Sequence, residues 1–384
     1  MASVIGTLRR DERGMSLVFV GLGFMGLLAA TTLAIDVGML MTARSQAQNA
    51  ADAAAHAGAV ALAYDDYVDR SATSPAVQSA INAGKAAGNR VMNASVSITA
   101  ADVTFPNDPN GIPSWVRVNV FRSGGRANPV STLMASIFGV TTADITATAT
   151  GEASLSNAET CVKPFTIPDR WIEIQTPAWD PNDTFDLYNN KGALLPNPDV
   201  YHDVHSSLYT GYNMVRDRGL QVTLKAGTNN NITPSFYYPL ALPGSGGGSD
   251  YRWNIENCNT SIMQFDDLMI QEPGNMIGPT AQGIQTLIDK DPSAYWDTMC
   301  NCVHTSMRPS PRVAIIPIFD PVYYETGKQN GRTADLKAAN FIGFFIEGLV
   351  GNDVLGRVTP VGGLILGGVP VPIGAYPRTI RIAQ

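Results

Sequence analysis

The chain has 384 residues, of which 45% are hydrophobic, with 26 Lys plus Arg against 33 Asp plus Glu and a formal net charge of −7. That length accommodates two domains beyond an anchor, and 36 Gly with 25 Pro indicate folded, loop-rich structure rather than disorder. No basic stripe is present to neutralise phosphates, which excludes nucleic-acid binding and polybasic attachment to a membrane surface.

The first element is a helix predicted to run without interruption to residue 63. Its first part, residues 14–35, contains no charged side chain. From Met15 to Ile35 it is roughly 32 Å long at ~1.5 Å per residue, enough to cross a ~30 Å hydrocarbon core. Arg9, Arg10 and Arg13 precede it and only Arg44 lies close after it, so the positive-inside rule places the segment 1–13 in the cytoplasm and the bulk of the chain outside. A cleaved signal peptide is the competing reading, with Met15–Leu28 as apolar core and Thr32-Leu33-Ala34 as cleavage site. Against it, the helical pattern continues through Asp36 to Ala63 with no Pro. Asp36, at the outer edge of the span, marks the membrane boundary or pairs with a basic residue of a partner subunit. In residues 36–63 small side chains recur every three or four positions, at Ala43, Ala47, Ala50, Ala54, Ala57 and Ala61. Such a surface allows close backbone approach, and alanine also simply favours helix.

A second helix is expected from Pro75 to about Gly88, with Ser74 as N-cap and Pro at the first helical position. Period-two alternation then predicts strands at Ser95–Phe105, Trp115–Arg122 and Asp144–Ser154, with a short helix from Pro129 to Phe138 closed by Gly139. These elements form a small α+β domain over residues 64–156. Beyond it, residues 157–384 read as a mostly β domain. Strand-like runs occur at Trp171–Gln175, Leu220–Lys225, Val313–Phe319, Phe341–Glu347 and Thr379–Ala383, and a helix at Gly278–Asp289. The glycine run Gly244–Gly248 lacks the Lys-Ser/Thr of a phosphate loop and reads as a flexible linker.

All four cysteines, Cys161, Cys258, Cys300 and Cys302, follow the span, and an even count outside the cytoplasm favours disulfides. Cys300 and Cys302 are two apart, where a bridge is expected to be strained, so each is expected to pair outward, to Cys161 or Cys258. A metal site of Cys300, Cys302 and His304 is the sharper alternative, although zinc spacings usually place two or more residues between cysteines. Asp180, Asn182, Thr184 and Asp186 alternate as in a calcium loop, but Phe185 and Lys191 stand where an EF-hand needs Gly and Glu. His202 and His205 read as exposed loop residues, and His56 as a packing or hydrogen-bonding residue of the alanine helix. No catalytic constellation, metal site or cofactor is expected.

Three stretches carry a family resemblance: DERG at Asp11–Gly14, AIDVGML at Ala34–Leu40 and QNAADAAAHAGAVAL at Gln48–Leu62. In this order they resemble the N-terminal region of TadG-like proteins of the tight-adherence (Flp) pilus system. KPFTIPDRW (Lys163–Trp171), EPGNMIGPT (Glu272–Thr280) and SPRVAIIPIFDP (Ser310–Pro321) are similar to the C-terminal part of one branch of that family. Many relatives carry a von Willebrand A domain; its Asp-x-Ser-x-Ser metal motif is absent here, and the nearest run, Asp203-Val204-His205-Ser206-Ser207, has His in place of the first Ser. Pilin-like members are cut after a Gly with Glu five residues later; Phe19 follows Gly14 at that distance. Asp11 follows Gly6 but the apolar segment does not follow directly, so processing is not expected.

The resemblance implies a single-pass bacterial inner-membrane protein with a periplasmic or extracellular body. It implies no enzymatic activity, and partners among pilus-assembly membrane proteins or pilin-like subunits. The expected fold class is α+β: a long transmembrane helix, a small α+β domain and a mostly β domain containing disulfides. The alternative function is a structural subunit of an extracellular filament, with the apolar helix as its core.

Overall fold

A computed structural model describes residues 13–65, 69–88, 94–107, 114–175, 178–227, 231–307, 309–329 and 336–383. Arg9, Arg10 and nearly all of the expected cytoplasmic segment lie outside these residues. The fold is α+β and divides into two compact units. The first comprises residues 1–61, 69–152 and 382–384, and the second residues 62–68 and 153–381.

Helix α1 (Arg13–Tyr64) is continuous over 52 residues, about 78 Å at ~1.5 Å per residue. No Pro interrupts it, and Thr31 and Thr32, its only hydroxyls between Leu17 and Asp36, donate back to the carbonyls of Leu27 and Leu28 at 2.7 and 2.6 Å. These bonds leave no free side-chain donor within the apolar half. That half is uncovered: Leu17 is 76% exposed, and Phe19, Val20, Phe24, Met25 and Leu27 are exposed with it.

The alanine half is instead the core of the first unit. Ala43, Ala47, Ala50, Ala54 and Ala61 are buried, together with Ala51, Ala55 and Ala59, whereas Ala57 is half-buried. Its partners are helix α2 (Pro75–Ala87) and an antiparallel sheet that includes β1 (Val103–Thr104), β2 (Trp115–Arg122) and β3 (Ile145–Leu155). Ser74 caps α2, its hydroxyl accepting from the Val77 N–H, with Pro75 at the first helical position. The register sets Val116, Val118 and Val120 opposite Gly151, Ala149 and Ala147, a row of short side chains. Backbones approach closely here because small residues face each other. A Cβ added at Gly84 would lie 2.9 Å from the Ala54 Cβ, one at Gly58 2.8 Å from the Val116 side chain, and one at Gly151 2.4 Å from the Ala55 carbonyl oxygen. The last contact is with backbone, so Gly151→Val should destabilise the unit by about 2–3 kcal/mol. Chemical denaturation checks this; an unchanged midpoint would contradict the packing described.

β3 continues past Glu152 into the second unit, which is built around a closed six-stranded barrel. Its strands are β4 (Phe165–Pro168), β5 (Gln221–Ala226), β6 (Phe236–Pro239), β8 (Val313–Phe319), β9 (Leu336–Val350) and β10 (Asp353–Thr359); β7 (Leu268–Met269) pairs with β9 outside the ring. Around the ring β8–β9, β9–β10, β10–β5 and β6–β4 are antiparallel, while β5–β6 and β4–β8 are parallel. Closure leaves the ring without a free edge. Alternate side chains from all six strands, among them Ile167, Leu224, Tyr237, Ile316, Phe344 and Val358, join one apolar cluster. Helices α3 (Gly247–Glu256) and α4 (Ile277–Lys290) add Tyr251, Ile255, Ile284 and Leu287 to it. On β6, β8 and β9 the opposite faces are buried too, with Tyr238, Phe319 and Phe341 in a second cluster, whereas on β5 Gln221 and Lys225 face solvent. A strand buried on both faces reads as a continuous apolar run, as β8 and β9 do.

Several expectations are corrected. Ser95–Phe105 is largely irregular, ending in a 3-10 turn and the two-residue β1, because Asp102 accepts from the Thr99 N–H and hydroxyl and caps that turn. Trp171–Gln175 contributes one bridge, Ile172 to Val200, rather than a strand. Pro129–Phe138 is a short strand followed by a 3-10 turn, closed at Gly139 with φ +86°. The glycine run is no linker: Gly247, at φ +81°, opens α3, and its N–H donates to Glu272.

Candidate functional site

The uncharged run of α1 ends at Asp36, and in the first unit this carboxylate is buried. It accepts three successive backbone N–H groups, from Leu133 at 3.0 Å, Met134 at 3.1 Å and Ala135 at 2.5 Å. The donors belong to a loop between the paired strands Val130–Ser131 and Thr142–Ala143. Each is a free N–H at the start of the 3-10 turn Ala135–Phe138, where a carboxylate is the favoured acceptor. Asp36 therefore ties a distant loop of its own chain to the level at which the apolar helix ends. From the sequence, Asp36 reads as a mark of the membrane boundary or as the mate of a basic residue on a partner subunit; its donors lie about a hundred residues away in the same chain, in backbone that carries no side-chain signature.

The tied loop is apolar at its tip. Leu133, Ile137, Phe138 and Val140 are all more than half exposed, at 56, 74, 67 and 54%. On the helix, Leu33, Ile35 and Val37, next to Asp36 in the chain or one turn before it, are exposed as well.

The alanine positions are the second predicted feature, and their packing surface is used within the chain, by α2 and the sheet. His56 is exposed on that helix, which removes the packing alternative for it.

The cysteines pair as Cys161–Cys258 and Cys300–Cys302, which corrects the expected outward pairing. The reason is local backbone: Asn301 adopts φ +48°, folding the chain so that the Cα atoms of Cys300 and Cys302 come within 5.2 Å, inside the range a disulfide spans. The loop closes a hairpin of Tyr295–Asp297 and Cys302–His304. Alternation sends Trp296 and Val303 towards Phe345 and leaves Tyr295, Asp297, Cys302 and His304 on the other face. His304 stacks on Tyr295 at 5.1 Å, and its Nε2 lies 3.2 Å from Asp297 and 3.9 Å from the Cys300 Sγ. The alternative metal ligands are thus adjacent, but both sulfurs are committed to the disulfide. Arg218 holds this loop through the Asn301 carbonyl at 2.8 Å and also binds the carbonyls of Tyr64 and Asp65, capping the C-terminal end of α1.

The remaining polar candidates serve turns. Asp180 accepts from the Asn182 N–H at 2.6 Å and Asp183 from the Asp180 N–H at 2.5 Å, so these two carboxylates close a local turn, while the Asp186 N–H donates to Asp199 at 2.8 Å. His205 pairs with Asp266 at 2.8 Å, while the backbone N–H of His202 donates to Thr210.

Two buried carboxylates had no sequence signal. Asp169 accepts from the hydroxyls of Tyr201 and Tyr209 and from the N–H groups of Arg170 and Tyr212; burial pushes it up to about 6 against the pull of those bonds. Glu159 is less well served: one carboxyl oxygen has no hydrogen-bond partner, and burial pushes the group up to about 8, opposed only by a bond from the Thr160 N–H. A carboxyl raised on folding contributes stability that is full below its unfolded value near 4.5 and lost as pH rises through about 8. Glu159→Gln should therefore change stability at pH 5 by less than about 1 kcal/mol and raise it by about 4–5 kcal/mol at pH 9. Denaturation at the two pH values checks this, and an equal effect at both would contradict it.

With this geometry in place, residues 14–61 match the family model Tad, which describes TadE/G-like proteins of Flp pilus assembly. The match begins at the first residue of the uncharged run and includes Asp36 and the whole alanine row. No curated protein and no solved structure matches the chain.

Proposed function

We propose that this chain, whose anchor helix is a TadE/G-like segment, is a single-pass, non-enzymatic membrane component of Flp-type pilus assembly with both compact units outside the cytoplasm. The observation that carries the reading is the family match on α1. Two structural facts support it. The apolar half of α1 is long enough to span a membrane and is uncovered by the rest of the described chain. The second unit contains two disulfides, which persist in oxidising compartments. In this reading the apolar half anchors and orients, the alanine half builds the first unit directly on the anchor, and the barrel unit meets partners of the pilus machine.

Pull-down of the intact, detergent-extracted protein followed by mass spectrometry tests the reading, with recovery of Flp pilus subunits expected. Recovery of none would contradict it. The exposed apolar half would equally suit the core of a filament; recovery in sheared extracellular filaments, rather than in the detergent-extractable membrane fraction, would favour that second reading.

A further inference from the structure

We infer that the loop Thr132–Thr141 is a second membrane contact, its apolar tip seated in the outer leaflet beside the anchor helix. The inference rests on the reading of α1 as a membrane anchor and adds a lipid-facing surface outside the segment that the family match covers.

The first argument is composition. Residues 129–143 contain no charged side chain, and four large apolar ones, Leu133, Ile137, Phe138 and Val140, are exposed within eight positions. A cluster of that kind on a water-facing loop is disfavoured unless something apolar covers it.

The second argument is that the loop's backbone is equipped to leave water. Leu133, Met134 and Ala135 donate to Asp36. Thr132 donates to the Thr141 carbonyl, Ile137 to Met134, Gly139 to Ser136 and Val140 to Ala135, each at 3.1 Å. The hydroxyls are used as well, Ser136 donating to the Leu133 carbonyl and Thr132 to that of Val140. Seven N–H groups and two hydroxyls of the loop are thus paired internally, which lowers the cost of bringing its backbone out of water to the membrane interface.

The third argument is position, and it selects lipid over a protein partner. Asp36 is the first charge after the uncharged run, so its three bonds fix the loop at the level where the span meets the interface. Leu33, Ile35 and Val37 are exposed on the helix at that same level. The Asp36 bonds thus hold the apolar tip within a helical turn of the apolar end of the span, where the bilayer that covers the span is within reach of the tip. Phe138 sits where aromatic side chains favour the membrane–water interface.

The test uses the full-length protein reconstituted in phosphatidylcholine vesicles brominated either near the headgroup or deep in the acyl chain. Phe138→Trp reports the tip and Leu27→Trp the span, each read as the emission added over the native chain. The tip tryptophan should lose roughly half of its added emission to headgroup-proximal bromine and much less to deep bromine, as expected of an interfacial aromatic. The Leu27→Trp emission should be quenched more strongly by deep bromine. If Leu27→Trp is quenched and Phe138→Trp is not, the lipid contact is overturned while the anchor stands; shielding of that unquenched tryptophan from aqueous acrylamide would assign the tip to a protein partner instead. If neither is quenched, the anchor itself is refuted.

Discussion

Replacing Cys161 and Cys258 together by alanine should lower stability by about 4–5 kcal/mol, whereas the same double replacement at Cys300 and Cys302 should cost about 1.5 kcal/mol. The difference follows from the chain each bond closes. The first joins residues 97 apart and the second residues two apart, and the entropy removed from the unfolded chain grows with loop length. The first bond also ties the segment entering the barrel to the end of α3, where the Cys161 N–H donates to the Asn259 carbonyl at 3.0 Å. Guanidinium denaturation of the oxidised full-length protein and the two double variants in detergent measures both losses. Equal losses would show that loop closure is not the main contribution of the longer bridge.

Asp36→Ala should release the tip loop without unfolding the first unit. Three N–H groups lose one shared, charged acceptor, and bonds to charged groups are each worth about 1.5–3 kcal/mol before water replaces them. Much of that is recovered by solvation of the loop, so the expected net effect is local: amide exchange at Leu133, Met134 and Ala135 accelerates on the order of a hundredfold. The amides of β2 should keep their protection, because α1, α2 and the sheet pack through alanine and valine, away from this carboxylate. Asp36→Asn retains one carbonyl oxygen and should fall between. Hydrogen exchange followed by mass spectrometry reads the loop and the strand separately. Unchanged exchange in the loop would show that it is held by something other than Asp36.

What could be read from the sequence follows what leaves a periodic or compositional trace. The 22 uncharged residues, the Ser74-Pro75 cap, the alternation of Trp115–Arg122 and the apolar run Val313–Phe319 each identified their element, because one local rule governs each. The alanine row announced close packing, but α2 and the sheet that occupy it are separate elements whose docking no local pattern specifies. Asp36 was visible as a charge at a boundary; its partners are backbone N–H groups, which every non-proline residue carries. The disulfide pairing was misread because spacing alone made Cys300–Cys302 look too tight, and the left-handed conformation of Asn301 that permits it is invisible in a residue name. Barrel closure was hidden for a similar reason. It depends on parallel pairing of β4 with β8 and of β5 with β6, contacts between segments far apart or separated by a loop.

The proposed topology has α1 crossing the membrane once, with its N-terminus in the cytoplasm and both units outside. Fusion of reporters to the C-terminus tests it most directly, since alkaline phosphatase becomes active only outside the cytoplasm and green fluorescent protein exported in unfolded form stays dark there. An active phosphatase fusion and a dark fluorescent fusion of comparable abundance are expected, both reversing when residues 14–35 are deleted. A bright fluorescent fusion with an inactive phosphatase on the intact chain would place the barrel unit in the cytoplasm and contradict the account.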